Sequence, residues 1–248
     1  MYPILHEFLS DRGGAVVFTC FGSWHWMYIA LTFVGIGIML WKLRGMDAQK
    51  RGKALARASA IAFGLYILDI FLMPIAYGYI DVEKLPFHVC TAMCVMCFLC
   101  PRVSGLRKYG SAAALLGFLS NFVYLIYPAG VMWHRVHPLC YRVVQTLLFH
   151  GIMTGSTLLL LLFGEALPTR KDIFRVTLGM TLWAWTGNVI FGGFEPEMNW
   201  FFLVRDPFGL LPGDLAPFVM PVMNMAVFSA VQLFLREIIL RIRNRERF

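Results

Sequence analysis

Two short stretches of this sequence combine residue types suited to nucleophilic chemistry. One is Leu85-Pro86-Phe87-His88-Val89-Cys90, the other Phe149-His150-Gly151. A cysteine thiol attacks an ester carbonyl once a base takes its proton, and imidazole suits that task at neutral pH. Pro86 fits the first turn of a helix, where its missing N–H costs nothing. His88 and Cys90 are therefore predicted near a helix N-terminus, whose partial positive charge favours a thiolate. Apolar burial opposes this, and on that alternative Cys90 is a small buried hydrophobe. His88 is a poor base for Cys90, because residues two apart on a helix face nearly opposite ways. The base must come from another element, and His150 is the best placed.

The elements that must carry these residues are membrane spans. The chain has 248 residues, 59% of them hydrophobic and only 15% charged. A soluble domain usually carries about 25% charged residues. Runs of ~20 apolar residues suffice to cross a bilayer, and they fall at about 23–41, 58–79, 87–100, 111–127, 141–163, 173–194 and 215–240. The third is short. The expected fold is all-α: a polytopic, seven-helix transmembrane bundle forming a single integral membrane domain.

Charge fixes the expected orientation. The net charge of +8 would suggest nucleic acid in a soluble protein. Here the basic residues cluster in alternate connections: Lys42–Arg57, Arg102–Lys108, Arg170–Arg175 and the tail from Arg236. The opposite side holds only Arg12, Lys84, Arg135, Arg142 and Arg205. The positive-inside rule then puts the N-terminus outside and the C-terminus in the cytoplasm. Glu7, Asp11 and Arg12 interrupt the first segment, so no cleavable signal is expected. Tyr2–Leu9 reads as an interfacial helix or as a polar end. A bacterial cytoplasmic membrane fits these features.

Polar residues inside spans are costly and usually face a cavity or one another. They are His25, Asp69, His88, Asn121, Gln145, His150, Asn188 and Asn224. Nearly all fall in the outer half of their helix, with Asp69 near the middle. The bias points to a polar cavity reached from the outer leaflet, and interhelical hydrogen bonding is the alternative for any single amide. At ~1.5 Å per residue, Cys90 and His150 both lie roughly 14 Å below the outer interface.

Cys94, Cys97 and Cys100 have Cys-x-x-Cys spacing but sit on a continuous apolar helix with no loop to wrap a cluster. No metal or other cofactor is expected. Cys20 and Cys140 both fall near the outer surface, where a disulfide and two thiols are equally compatible with the sequence. The aromatic connection Glu195–Pro212 contains Asn199, Trp200 and Arg205. Arg205, with Arg142, Arg135 or Lys84, is a candidate for holding a phosphate headgroup. Interfacial anchoring by the same residues is the alternative.

The chain resembles the YwaF-like family of bacterial integral membrane proteins, which is similar to the animal transmembrane protein 164 acyltransferases. The resemblance is carried by Leu85–Cys90, Phe149–Gly151, Asn199-Trp200 through Pro207, and Gly22–Trp26, in that family's order. Trp200 stands where the family has Tyr, and Phe87 where it has Leu. The resemblance implies a seven-helix fold and, for the animal branch, transfer of a fatty acyl chain between phospholipids. It implies Cys90 as nucleophile and His150 as the matching histidine.

The resulting expectation is an intramembrane lipid acyltransferase or acyl-ester hydrolase acting on phospholipid or lysophospholipid. Asn121, Gln145 or Asn188 would stabilise the oxyanion, and Asp69 or His88 would orient the histidine. The alternative is a non-enzymatic transporter or ligand-binding membrane protein, for which Pro74, Pro217 and Pro221 offer helix breaks. Against a transporter, no repeat relates two halves. A retinal pigment needs a lysine within a late helix, and every lysine here lies in a connection.

Overall fold

The computed structural model describes residues 8–9, 16–78, 82–132, 135–192, 199–206 and 209–246. Most of Tyr2–Leu9, the ends expected for the second and sixth spans, and parts of the 195–212 connection lie outside them. Among the described residues all regular structure is helical. The long elements are α1 (Ser23–Arg44), α2 (Ala48–Tyr77), α3 (Val89–Leu99), α4 (Gly110–Ile126), α5 (Tyr141–Phe163), α6 (Arg170–Phe191) and α7 (Ala216–Glu246).

Among the described residues, five helical stretches are long and apolar enough to cross a membrane: Ser23–Arg44, Ala48–Leu72, Ser104–Ile126, Tyr141–Phe163 and Ala216–Arg245. The helix α3 is apolar but only 11 residues long. The helix α6 opens on Arg170, Lys171, Asp172 and Arg175 and carries Thr, Gly and Asn further along. Leu31, Val34, Ile38 and Trp41 on α1, and Phe218, Val222 and Phe234 on α7, are exposed. Water tolerates apolar faces of that extent poorly, whereas lipid is their natural solvent.

The starts of α2 and α6 depart from the hydropathy reading because caps, not apolarity, set them. The helix α2 begins at Ala48, ten residues before the expected 58, where the Asp47 carboxylate accepts from Lys50 N at 2.8 Å. Lysine, arginine, alanine and glutamine are all strong helix formers, so the basic stretch winds as helix beyond the apolar zone. That backbone hydrogen bond and the Lys50 ammonium hold the Asp47 carboxyl below its usual range. The helix α6 begins at Arg170 rather than 173, where Thr169 Oγ1 accepts from Asp172 N and donates to Asp172 Oδ2. At α3 the shift is inward: Phe87 and His88 lie outside the helix, and His88 is its N-cap with ψ 144°.

The chain divides into two compact units. One comprises Met1–Asp81 and Phe118–Leu159, the other Val82–Gly117 and Leu160–Phe248. The first has a core of Phe18, Ile29, Leu125, Val131, Val136, Cys140, Val143 and Leu147. Close packing of α1 on α5 depends on two glycines four residues apart. A Cβ on Gly151 would stand 2.6 Å from Thr32 Oγ1, and one on Gly155 would stand 3.0 Å from Ile36 Cγ1. Small residues at this spacing let membrane helices approach. In the second unit, Gln232 Nε2 of α7 donates to Thr177 Oγ1 of α6 at 2.8 Å.

Candidate functional site

The segment leading into α3 is held by aromatic packing within its own unit. Trp183 Nε1–H donates to the Pro86 carbonyl at 2.6 Å. The Phe87 ring stacks on Trp183 at 4.9 Å and meets Trp200 at 4.9 Å and Phe191 at 5.7 Å. Gly187 makes room for it, since a Cβ there would stand 2.5 Å from Phe87 Cδ1. His88 is exposed and meets Trp200 edge-on. Its carbonyl accepts from Ala92 N and Thr91 Oγ1.

Cys90 is therefore the second residue of α3. The side chain of the N-cap residue His88 makes no capping hydrogen bond, and the partial positive charge of a helix N-terminus falls on the turn that carries Cys90. Cys90 is half-buried, whereas Cys94, Cys97 and Cys100 are buried. Access distinguishes Cys90 from the others. Among the described residues, no group of three His, Cys, Asp or Glu side chains is disposed to hold a metal ion.

The amides of this unit support a strained loop. Phe201 and Phe202 have φ of 59° and 52°, a left-handed conformation that bulky residues rarely adopt. Asn188 accepts from Trp200 N at 2.9 Å and donates to Trp200 O at 3.0 Å. Asn224 Nδ2 donates to Phe201 O and Phe202 O. Asn199 Oδ1 accepts from Val204 N and Arg205 N, and its Nδ2 donates to Arg205 O. The buried Phe201 ring packs edge-on against Phe228 at 4.6 Å. Asn188 and Asn199, expected to support chemistry, thus have their amides engaged with backbone. The Arg205 side chain is exposed.

In the other unit His150 is buried on α5, stacked on Tyr124 at 4.1 Å with 14° between the rings. His150 Nδ1 lies 2.7 Å from the Thr146 carbonyl. A carbonyl can only accept, so Nδ1 carries the proton and Nε2 is the basic nitrogen of the neutral ring. The orienting group is this backbone oxygen one turn back. Asp69 is buried and accepts from Tyr141 OH at 3.2 Å. His25 has the opposite tautomer. Its Nδ1 accepts from Phe21 N and its Nε2 donates to Leu125 O, so both nitrogens serve the backbone.

Asn121 and Gln145 are buried in this unit, and Thr146 Oγ1 donates to Gln145 Oε1 at 3.4 Å. Arg142, a candidate for lipid headgroups, is buried rather than at the surface. It is the second residue of α5, on a turn that faces inward between Tyr141 and Val143. Among the described residues no disulfide joins Cys20 to Cys140. The Cys20 thiol donates to Ile126 O at 3.8 Å, and burial pushes its pKa up.

A protein-family model, that of the TMEM164 family, matches residues 20–235. The chain belongs to the TMEM164 family. No curated protein and no solved structure matches it. The match covers both units and every candidate residue above, and it bears on the TMEM164 family rather than on the YwaF-like one. With the apolar helices, membership makes the chain an integral membrane protein. Reading the sequence missed the Tyr124 stack and the Trp183–Gly187 framework around Phe87. It also passed over the Gly-x-x-x-Gly spacing of residues 151 and 155, which was open to view.

Proposed function

We propose that this TMEM164-family protein is an intramembrane lipid acyltransferase or acyl-ester hydrolase, with Cys90 as nucleophile and His150 as base. The observation that carries the reading is the His150 tautomer, which leaves Nε2 basic. The partial exposure of Cys90 in the first turn of α3 supports the other role. Each role rests on the residue's surroundings in its own unit.

In the first half-reaction the base takes the thiol proton and sulfur attacks the acyl carbonyl carbon. The ester C–O bond breaks, and the leaving lysolipid oxygen receives that proton. In the second half, a lysolipid hydroxyl or water gives its proton to the base and attacks the thioester. The C–S bond breaks and sulfur regains the proton. Backbone N–H groups at the start of α3 supply partial positive charge for the oxyanion. Asn121 and Gln145 are the remaining side-chain candidates for that task. Asp69 supports the fold through Tyr141, and exposed Arg205 is the candidate for a substrate phosphate.

The proposed topology has seven spans, with the N-terminus outside and the C-terminus in the cytoplasm. At ~1.5 Å per residue α3 covers roughly 16 Å of a core of ~30 Å. The non-helical lead through residue 88 makes up the rest. Such backbone is tolerated at depth only where protein or a wet cavity receives it. A C-terminal tag digested by protease in sealed right-side-out vesicles would overturn this orientation.

The decisive experiment is labelling of the detergent-purified protein with a lipid-like electrophile, followed by peptide mapping, in wild type and His150→Ala. Selective modification of Cys90 that collapses without His150 is expected. Equal, slow labelling of Cys90, Cys94 and Cys97 in both proteins overturns the reading and turns attention to ligand binding or transport.

A further inference from the structure

The end of α7 carries Arg236, Arg241, Arg243 and Arg245. Two of them serve backbone on one face of the helix. Arg236 Nε donates to Pro168 O at 2.7 Å, and Arg243 Nη2 donates to Gly164 O at 2.8 Å. Arg241 follows Arg236 by five residues, which turns it about 140° around the axis at 3.6 residues per turn. There it borders an open groove of about 500 Å³ with Arg170 of α6 and Leu233, Phe234, Glu237 and Ile238 of α7.

The groove has two chemistries at two depths. Its lining includes two arginines, Arg170 and Arg241, at one end of the row of apolar residues on α7. The one acid lining it, Glu237, is hydrogen-bonded to Arg236, which offsets its charge. The start of α6 is capped by Thr169 and carries Asp172 in its first turn, so the guanidinium groups are the positive charge offered to a ligand. Seven residues deeper, roughly 10 Å along the axis, Phe234 is 67% exposed, and Ile238 between them is 39% exposed. A free anion would use only the arginines. A phospholipid spans both, with a phosphate for the arginines and an acyl chain for the apolar floor.

We propose that the groove between the start of α6 and the end of α7 binds an anionic phospholipid. Arg170 and Arg241 hold its phosphate, and the chain lies along Leu233, Phe234 and Ile238. The site shares no residue with the proposed Cys90 and His150 machinery, and its failure would leave the acyl-transfer reading untouched.

Native mass spectrometry of the full chain in neutral detergent tests it, with phosphatidylglycerol, phosphatidylcholine and inorganic phosphate as probes. Wild type is expected to retain phosphatidylglycerol in preference to phosphatidylcholine, and millimolar inorganic phosphate should not displace it. With about 1 kcal/mol per basic residue near a headgroup, Arg170→Gln with Arg241→Gln should weaken phosphatidylglycerol binding by roughly tenfold or more. Arg245→Gln, equal in charge change to either single groove variant but outside the groove, should leave it within about twofold. If the double variant does not fold, each single variant carries the same test at about fivefold. Unchanged binding in the groove variants, equal retention of phosphatidylcholine, or displacement by inorganic phosphate would overturn the proposal.

Discussion

His150 Nδ1 and the Thr146 carbonyl lie 2.7 Å apart on successive turns of α5, and because a carbonyl only accepts, this contact puts the proton on Nδ1. His25, bonded through both nitrogens to backbone, has the other tautomer. Nitrogen-15 spectra of histidine-labelled protein should therefore show His150 as Nδ1–H and His25 as Nε2–H. His150→Asn separates fold from chemistry, because the asparagine amide reproduces the Nδ1 donor and supplies no base. Its thermal midpoint should stay within a few degrees of wild type. Electrophile labelling of Cys90 should fall on the order of a hundredfold, within the range expected for loss of a general base. Wild-type labelling in His150→Asn would remove His150 from the mechanism.

Gly151 follows the candidate base and faces Thr32, so the fit of α1 on α5 sits one residue from the chemistry. A Cβ at 151 would stand 2.6 Å from Thr32 Oγ1 but 3.6 Å from Thr32 Cβ. Gly151→Ala should destabilise by roughly 1–3 kcal/mol through overpacking. Thr32→Ala removes the clashing oxygen and should recover most of that loss in the double variant. Unfolding in a denaturing-detergent titration measures all four corners of the cycle. Additive effects would mean that α1 and α5 are not packed through this pair.

The spans of α1, α2, α4, α5 and α7 were legible in the sequence because a bilayer demands long apolar runs, and nothing else in a chain this size produces them. The starts of α2, α3 and α6 were not. Asp47 and Thr169 nucleate helix outside the apolar zone, and His88 delays α3 by withholding its own residue from the helix. Cys90 and His150 stood out by residue type, but the imidazole tautomer depends on a rotamer that meets the carbonyl one turn back. The amides were legible as polar and illegible in role. Asn188, Asn199 and Asn224 answer a left-handed pair of phenylalanines that no propensity rule anticipates.

Cys20 gives a pH-dependent reference thiol. Burial raises its pKa above the ordinary value of 9.0, with the Phe21 backbone N–H acting weakly in the other direction. A raised folded value means that the neutral thiol is favoured in the fold. That contribution is complete below the unfolded pKa and is lost as pH rises through the folded one. Maleimide labelling of Cys20 should therefore lag a free thiol at pH 8 and keep rising beyond pH 9. Alkaline destabilisation from this group should vanish in Cys20→Ser. A labelling midpoint at or below that of glutathione would contradict the burial.

Asn188 distinguishes loop support from oxyanion binding. Its side chain closes a two-point bond with the backbone of Trp200, the residue that packs on Phe87 ahead of Cys90. Asn188→Asp keeps the acceptor for Trp200 N and loses the donor to Trp200 O, setting a carboxylate against a carbonyl in a buried place. That should cost roughly 1–3 kcal/mol of stability, the penalty for an unsatisfied buried polar group. The loss should be shared by Asn188→Ala and accompanied by altered Trp200 fluorescence. If the amide instead stabilised an oxyanion, turnover would fall by about 10²–10³ with stability unchanged. The double hydrogen bond to Trp200 leads us to expect the first pattern, with any loss of Cys90 reactivity following the loop rather than the amide.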